Sequence, residues 1–462
     1  MIGRPTVDTY RPAMSRVLVG LSMGDITPEV GIQSNPWGMA QNTKSTAIHR
    51  KLTASVMVVK SPNGTELFLV ALDLGWLCCY ECDVVNFRSR VVKELGIELD
   101  DLLVNLSQTH KGPPFCIHEA NKEGAELVPD HIENVISTVI ELCVIARNNT
   151  QEADITWTYG SCDLAVVRDL PIGDNDYVGF NPEAEADQTL TVARVTDLSG
   201  KILATLANYG CHPTTIGWDC DLVSPDFIGR ARELVECSTG AQFFYLQGAC
   251  GNLSPRIQYV ADPEMADKNG EILGYATLST LSSMLAPATE LRFTEIIKSN
   301  ANLAIWEPVK IDPPRIVKCE RIIVRLKRKE LMNEEQMRLK WSDVNLKIVD
   351  SRVRKQIGMR IDYVDGDSAN HPVWLWQLGN ALVIAHPGEA YFEMQQELRK
   401  RHSDKVIMFL DMTNGPGYVY IPTRSAYERN AYQSWQTLLA PGAFEDMIEK
   451  LDNAITQFFE TV

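Results

Sequence analysis

The sequence predicts an α/β fold in which mixed β-sheets are flanked by helices and the functional site lies at strand ends. Short apolar runs bounded by Gly, Pro, Asn or Ser indicate buried strands. Between them lie stretches with a period of about 3.6 residues, which indicate amphipathic helices. Histidines and other polar residues follow several of the apolar runs. In an α/β sheet this is the end of the strand where ligands bind.

The first half of the chain alternates predicted strands and helices. Residues 51–59 and 65–74 are apolar runs, and Ser-Pro-Asn-Gly at 61–64 between them predicts a β-hairpin. Further strands are predicted at 15–22, 102–106, 155–160, 201–207 and 241–246. Helices are predicted at 82–95, 129–146 and 227–236.

The second half continues the alternation, with one irregular region. We expect helix over 262–290, and strands with a charged helix near 327–347 within the region 291–370. A hairpin at 374–378 and 381–385, a helix at 391–401, a strand at 406–410 and a helix at 443–459 follow. Since no repeat or flexible linker interrupts them, residues 1–462 are predicted to form one domain, with 291–370 as a candidate excursion.

Composition restricts the classes of protein to which the chain belongs. Hydrophobic residues at 45% and charged residues at 23% are ordinary for a globular protein. The formal net charge of −16 excludes nucleic acid from the expected partners, because phosphate backbones are bound by clustered Lys and Arg. Without a signal-like or membrane-spanning segment, we expect a cytoplasmic protein that does not insert into membranes. Cys78, Cys79 and Cys82 are interpreted as buried thiols rather than zinc ligands.

Two histidines follow predicted strands and precede Gly and Pro. His212 comes after the strand at 201–207, and His110 after the strand at 102–106. Each is open to two interpretations, a structural histidine in a turn or a residue that ligates metal or moves a proton. Because strand-end residues distant in sequence can converge on one point, the coincidence favours a shared site.

Other polar residues are also open to two interpretations. Asp73 ends a buried run and is either a loop anchor or part of a site. Arg168 is either an anion clamp or a partner of Asp169. Ser254 lies in a Gly-rich turn that does not match G-x-S-x-G, so it is interpreted as a donor rather than a nucleophile. Glu389 lies at a strand-to-helix junction.

Together these turns resemble the catalytic domain of the neutral, non-lysosomal ceramidase family of zinc-dependent amidases. The motifs occur in family order and span nearly the whole chain. They are VG at 19–20 with DITP at 25–28, TH at 109–110 with GP at 112–113, NYGCHPT at 208–214, LVSPD at 222–226, QGA at 247–249 with SP at 254–255, PGE at 387–389 and YIPT at 420–423.

The resemblance implies packed mixed sheets and a set of site residues. By this resemblance His212, Glu389 and Tyr420 are zinc ligands, and Tyr432 is the phenol that stabilises an oxyanion. Imidazole, carboxylate and phenolate suit Zn²⁺ with an open position for water. The residues that resemble contacts to the amide substrate are His110, Arg168 and Ser254.

Three departures from the family pattern affect the metal and the substrate. Gln108 stands where the family has a zinc-ligating histidine, so His110 or His386 is a candidate replacement, or the metal differs or is absent. Lys111 and Asn252 also replace family residues, and with Gln108 they are predicted to line the substrate pocket, where Lys111 adds positive charge. We expect no counterpart of the family's carboxyl-terminal immunoglobulin-like domain, and therefore no membrane sphingolipid as substrate.

These inferences predict a ceramidase-like amidohydrolase with zinc as its cofactor. It is expected to cleave a linear N-acyl amide bond in a soluble small or medium-sized molecule by metal-activated water. Two alternatives stay open, namely an ester or lactone hydrolase or acyl transferase on the same scaffold, and a metal-free binding protein. The predicted partner is the small acyl or amide substrate, and assembly into a homo-oligomer is undecided.

Overall fold

The strands are spread along the chain, and several of them have only two or three residues. The computed structural model describes residues 6–62, 64–77, 83–115, 122–361, 363–415 and 419–460. The strands in these residues are β1 (Thr9–Tyr10), β2 (Ala13–Asp25), β3 (Ala47–Ile48), β4 (Thr53–Lys60), β5 (Glu66–Leu72), β6 (Leu102–Leu106), β7 (Gln151–Ser161), β8 (Ala165–Val167), β9 (Asp169–Ile172), β10 (Asn175–Val178), β11 (Thr189–Asp197), β12 (Ile202–Tyr209), β13 (Leu222–Val223), β14 (Gln242–Gln247), β15 (Leu253–Pro255), β16 (Thr289–Ile297), β17 (Leu303–Lys310), β18 (Val317–Lys327), β19 (Val364–Asp365), β20 (Ser368–Leu378), β21 (Ala381–Ala385), β22 (Glu389–Ala390), β23 (Val406–Leu410) and β24 (Tyr420–Ile421).

The helices lie between these strands, and most have one apolar face. Those in the described residues are α1 (Asp83–Leu95), α2 (Val128–Asn148), α3 (Phe227–Thr239), α4 (Pro263–Ser283), α5 (Glu334–Lys340), α6 (Leu346–Gly358), α7 (Glu393–Arg401), α8 (Arg424–Glu428), α9 (Tyr432–Gln436) and α10 (Ala443–Glu460). Among the described residues, no helix is both long and apolar enough to cross a membrane.

Two mixed sheets form the centre of the molecule. The larger has eight strands in the order β14, β12, β11, β7, β2, β4, β5 and β6. The smaller has β18, β20, β21 and β23 in order, with β19 beside β20. Most neighbouring strands are antiparallel, but β5 and β6, β12 and β14, and β21 and β23 are parallel. The predicted α/β class with mixed sheets is confirmed.

The two sheets pack face to face, and helices cover their outer faces. One core cluster combines side chains from both sheets, including Trp157 of β7 and Trp376 of β20, so it lies between them. On the other face of the larger sheet, α1 and α2 pack at one end and α3 and α4 at the other. Helices α7 and α10 cover the outer face of the smaller sheet. Because strands in such a layer are buried on both faces, they read as continuous apolar runs.

Three strand–helix–strand units fix where the strand ends lie. In each of them, β5–α1–β6, β12–α3–β14 and β21–α7–β23, a helix returns the chain so that the next strand runs parallel. The chain leaves parallel strands at the same edge of a sheet. Hydrogen bonds bring the ends of β6, β14 and β23 together, since Asn105 accepts the Gln247 N–H and donates to Asp411 O.

Most predicted elements are confirmed, and two are wrong. The hairpin across 61–64 joins β4 and β5, with Lys60 opposite Glu66. The helix expected over 262–290 ends at Ser283, and residues after Pro287 form β16, since Pro cannot continue a helix. The helix expected near 327–347 is divided into α5 and α6.

The division between α5 and α6 has a packing reason. The break at Trp341 lets Met337 of α5 pack with Val349 and Val353 of α6 in one small apolar cluster.

Asp73 is a structural anchor, because its carboxylate lies 2.8 Å from Arg232 Nη2 and accepts the Thr53 N–H. The prediction for Cys78, Cys79 and Cys82 lies outside the described residues.

Asn208 joins the two sheets at the end of β12. Its Nδ2 donates to Leu246 O in β14 at 3.0 Å and to Phe409 O in β23 at 2.8 Å, and its Oδ1 accepts the Phe409 N–H. Because these bonds are buried, replacing Asn208 with Ala is expected to lower the free energy of unfolding by about 2–4 kcal/mol. Chemical denaturation measures this change. Replacing the exposed Asn453 with Ala is the matched control, with an expected change within about 0.5 kcal/mol; equal effects would contradict the bridging role.

Candidate metal centre

Loops from the ends of parallel strands in both sheets meet at one place. His212 follows β12, Cys250 follows β14, Glu389 follows β21, and residues 107–111 follow β6. All of these side chains except that of His110 are buried. The convergence predicted for the turns of His110 and His212 is therefore present, with their ring centroids 6.0 Å apart.

Two glycines allow these loops to approach one another. A Cβ atom at Gly210 would lie 2.2 Å from Ala249 O, and one at Gly251 would lie 2.7 Å from Glu389 O. Both distances are too short for any other residue to fit without backbone movement. The turn 248–251 is thus held against the loop of His212 on one side and the strand of Glu389 on the other.

His212 is held in one orientation by the backbone. Its Nδ1 lies 2.7 Å from Cys250 O, and since a carbonyl oxygen only accepts, Nδ1 carries the proton. Burial lowers the pKa of His212 well below its usual value, and the nearby guanidinium of Arg168 lowers it further. The imidazole is therefore neutral, and its Nε2 presents a free lone pair.

The carboxylate of Glu389 faces this lone pair. Glu389 Oε2 lies 3.0 Å from His212 Nε2, yet it makes no hydrogen bond with any described residue. Burial raises the pKa of Glu389 above its usual value, and Arg168 with hydrogen bonds from Tyr420 and Gln108 reduces this rise without reversing it. Two lone pairs facing one another at this distance repel unless a proton or a cation lies between them, and a nitrogen and an oxygen donor placed in this way suit a metal ion.

The Cys250 sulfur completes a group of three candidate metal ligands, His212, Cys250 and Glu389, which is called the metal-binding group below. One donor atom each from His212, Cys250 and Glu389 lies within 4.8 Å of the other two, and all three residues are buried. The Cys250 sulfur also lies 3.2 Å from Gln108 Oε1. Gln108 has a φ of 67°, an unfavourable backbone conformation for a residue other than glycine and one found at functional sites.

Tyr420, Arg168 and Tyr432 lie beside this group. Tyr420 is opposite Glu389 in the short parallel pair of β24 and β22. Arg168 Nη2 donates to Tyr420 OH at 3.3 Å and to Gly251 O at 2.9 Å. It therefore points into the site rather than pairing with Asp169. The Tyr432 ring lies 5.9 Å from that of Tyr420, and burial together with Glu389 raises the pKa of Tyr432 to about 12.

His110 lies between the metal-binding atoms and a group of aromatic rings. Its Nδ1 donates to Gln108 O at 2.9 Å, which leaves Nε2 as an acceptor. Burial lowers the pKa of His110 to about 3, and His212 contributes to the shift. The rings of Trp37 and Trp76 lie 5.2 and 5.5 Å from the imidazole. Tyr259 packs on Trp37, and Trp218 contacts both.

Two predicted pocket residues, Lys111 and Asn252, have other surroundings than expected, whereas Ser254 is compatible with its predicted role. The ammonium of Lys111 is buried and donates to Gly217 O and Cys220 O, so its charge serves that loop and not the pocket. Asn252 binds the Glu393 carboxylate and the Phe392 N–H, which fixes the start of α7. The Ser254 hydroxyl is buried and has no hydrogen-bond partner among the described residues.

His386 does not join the metal-binding group. Its Nε2 lies 2.7 Å from Asp411 Oδ1, and its Nδ1 lies 3.1 Å from His371 Nε2. The other carboxylate oxygen of Asp411 accepts the N–H groups of Cys250 and Ala390, at 3.1 and 3.0 Å. Asp411 therefore joins the backbones that carry Cys250 and Glu389. Sequence reasoning missed Asp411 and Cys250, although both follow predicted strands.

Comparison with known proteins finds similarity to ceramidases. No protein-family profile matches the chain. Over 237 residues the chain is 22% identical to neutral ceramidase A of Dictyostelium discoideum. The aligned region covers 48% of this chain and 32% of that protein. The match thus spans about a third of the length of that relative.

Solved structures extend the similarity to nearly the whole fold. The neutral ceramidase of Pseudomonas aeruginosa superposes with a TM-score of 0.66 at 15% identity, over 96% of this chain and 74% of that one. A ceramidase complexed with C2 gives a TM-score of 0.65 with the same identity and coverage. The chain is therefore similar in part of its sequence to one neutral ceramidase, and it shares the fold of the two ceramidase structures.

Proposed function

We propose that this protein is a metal-dependent hydrolase, with zinc as its metal, that cleaves an amide bond in a small or medium-sized N-acyl molecule. The observation that carries the proposal is the buried His212–Glu389 pair. A neutral imidazole lone pair and an unpaired carboxylate oxygen lie 3.0 Å apart without a hydrogen bond between them. The similarity to neutral ceramidases supports amide hydrolysis as the reaction class.

The residues at the site fit a zinc ion. His212 Nε2 and Glu389 Oε2 would hold it, with the Tyr420 phenol beside them. Nitrogen and oxygen donors of this kind are usual for Zn²⁺. When bound, the ion supplies Lewis acidity and lowers the pKa of a water molecule to about 7.

The surrounding side chains have separate tasks in amide cleavage. Tyr432 stays protonated at neutral pH because its pKa is about 12, so its phenol can donate to the oxyanion that forms at the carbonyl. The guanidinium of Arg168 points into the same space and adds positive charge. His110 is neutral and presents Nε2 as an acceptor, which suits it to orient the substrate N–H.

The aromatic rings around His110 support a substrate with an apolar group next to the amide. Trp37, Trp218 and Tyr259 form a half-buried wall on one side of the imidazole. Such rings bind acyl chains or flat groups by burying apolar area. We propose that this wall holds the acyl portion while the carbonyl faces Arg168 and Tyr432.

The geometry gives less support to acyl transfer through Ser254. A serine nucleophile is activated by a base within hydrogen-bond reach. Ser254 is fully buried, and its hydroxyl has no such partner among the described residues. We therefore assign Ser254 a role in packing or substrate contact.

Hydrolysis that requires metal is the test of this proposal. Purified protein should be assayed on a panel of N-acyl amides that includes ceramides, before and after treatment with a chelator, with fatty-acid release as the measurement. We expect activity to fall to background after chelation and to return with about one zinc ion per chain. Full activity in metal-free protein would contradict the metal mechanism. Zinc binding with hydrolysis of esters alone would contradict the amide assignment.

A further inference from the structure

We propose that Cys250 is a metal ligand and supplies a thiolate sulfur alongside His212 and Glu389. The inference rests on the proposed metal dependence and specifies the ligands of that site. Its basis is the position of the sulfur, which belongs to the compact group of buried donor atoms that lie within 4.8 Å of one another. A metal ion placed to contact the imidazole nitrogen and the carboxylate oxygen is within reach of this sulfur.

The amide oxygen of Gln108 is the alternative third metal ligand, and ligand chemistry favours the Cys250 sulfur. Gln108 Oε1 lies 3.2 Å from Cys250 Sγ, so the two side chains border the same space. An amide oxygen is a weak, neutral donor, whereas a thiolate is charged and is among the preferred ligands of zinc. A carboxylate and a thiolate together carry two negative charges, which match a divalent ion.

Binding through sulfur involves one proton. The Cys250 S–H bond breaks, its proton passes to solvent, and the sulfur electron pair forms the bond to the metal. Gln108 then has the opposite role, because its amide N–H group can donate to the thiolate once the S–H is gone. Such a hydrogen bond to a ligand sulfur stabilises the thiolate.

The turn of Cys250 is built to hold the residue in place. Its N–H donates to Asp411 Oδ2 at 3.1 Å, and its carbonyl oxygen accepts from His212 Nδ1 at 2.7 Å. One residue therefore orients the imidazole and offers its own side chain to the same ion. The adjoining Gly251 lets the turn lie directly against the strand of Glu389.

Cobalt binding tests the inference without any measurement of activity. Co²⁺ is added to metal-free protein, and the sulfur-to-cobalt charge-transfer absorption in the near ultraviolet is recorded. We expect this band in the wild-type protein and in Cys211→Ser, whose buried thiol donates to a backbone oxygen of His212 and does not belong to the metal-binding group. We expect Cys250→Ser to retain bound cobalt by elemental analysis and to lose the band.

Two further measurements keep the test decisive. If Cys250→Ser does not fold by circular dichroism, Cys250→Ala replaces it, and X-ray absorption of cobalt in the wild-type protein counts its sulfur ligands. The variant Cys78→Ser/Cys79→Ser/Cys82→Ser should keep the band, which excludes that cysteine cluster as its source.

The failures of the two proposals differ. One bound cobalt without a charge-transfer band, or a band that persists in Cys250→Ser, would overturn the sulfur ligand and leave the metal site of His212 and Glu389 standing. Failure of the wild-type protein to bind cobalt or zinc would overturn both proposals.

Discussion

Replacing Glu389 with glutamine is expected to remove the bound metal and with it the hydrolytic activity. The change keeps the shape of the side chain but removes its charge. Mutation of a residue that hydrogen-bonds to a metal ligand already lowers metal affinity about 10–100-fold. Loss of a ligand itself should therefore lower zinc affinity at least about 100-fold. Elemental analysis and zinc titration measure the affinity, and fatty-acid release measures the activity.

The same variant should be more stable than the wild type when metal is absent. His212 Nε2 is an acceptor that faces an unpaired carboxylate oxygen at 3.0 Å. A glutamine amide at position 389 can donate an N–H to this nitrogen and end the repulsion. We expect the free energy of unfolding in the presence of a chelator to rise by about 1–3 kcal/mol.

The control for both effects is the same substitution at Glu393, four residues along the chain. This carboxylate accepts from Asn252 and does not belong to the metal-binding group. Glu393→Gln should keep its zinc and should gain no stability in the chelator. A Glu389→Gln protein that binds zinc as tightly as the wild type would show that Glu389 is not a ligand.

Replacing Tyr432 with phenylalanine is expected to lower kcat by about 10²–10³-fold, with a much smaller change in KM. The reason is that an oxyanion donor binds the transition state more strongly than the ground state. The raised pKa of about 12 keeps the phenol protonated, and the ring lies beside Tyr420. Steady-state kinetics on an N-acyl amide cleaved by the wild-type protein, with zinc present, measure both constants.

Tyr427 offers a matched substitution outside the site. Its hydroxyl donates to Leu439 O at 2.8 Å. Tyr427→Phe should therefore lower the free energy of unfolding slightly and leave kcat unchanged. If Tyr432→Phe retains wild-type kcat with equal zinc content, the oxyanion is stabilised by another donor, and Arg168 is the nearest alternative on geometric grounds.

Local sequence patterns were sufficient to predict much of the fold. The apolar runs on either side of residues 61–64 predict β4 and β5, because the period of a strand and the chemistry of its turn are local properties. Predictions failed where packing between helices determines where a helix ends. A charged stretch near 327–347 gives no sign that Met337 and Val349 meet in one cluster, and this contact is what divides the helix.

The candidate site likewise has features that local sequence patterns predict and features that depend on tertiary packing. Local patterns place His212, His110 and Glu389 at strand ends, since each follows an apolar run and a turn. The resemblance to the ceramidase family adds the prediction that Gln108 stands in place of a family histidine. From these residues the prediction proceeded to a metal-dependent amidase with an incomplete set of ligands.

The side chains that surround the metal-binding group are set by contacts between distant loops. Lys111 is next to His110 in sequence, yet its ammonium binds carbonyl groups of another loop. Cys250 is 38 residues from His212 along the chain, yet the two are joined by a hydrogen bond of 2.7 Å. The physical reason is that the direction of a side chain in a loop depends on which loops pack against it. Here that packing depends on parallel strands from two different sheets ending at the same edge.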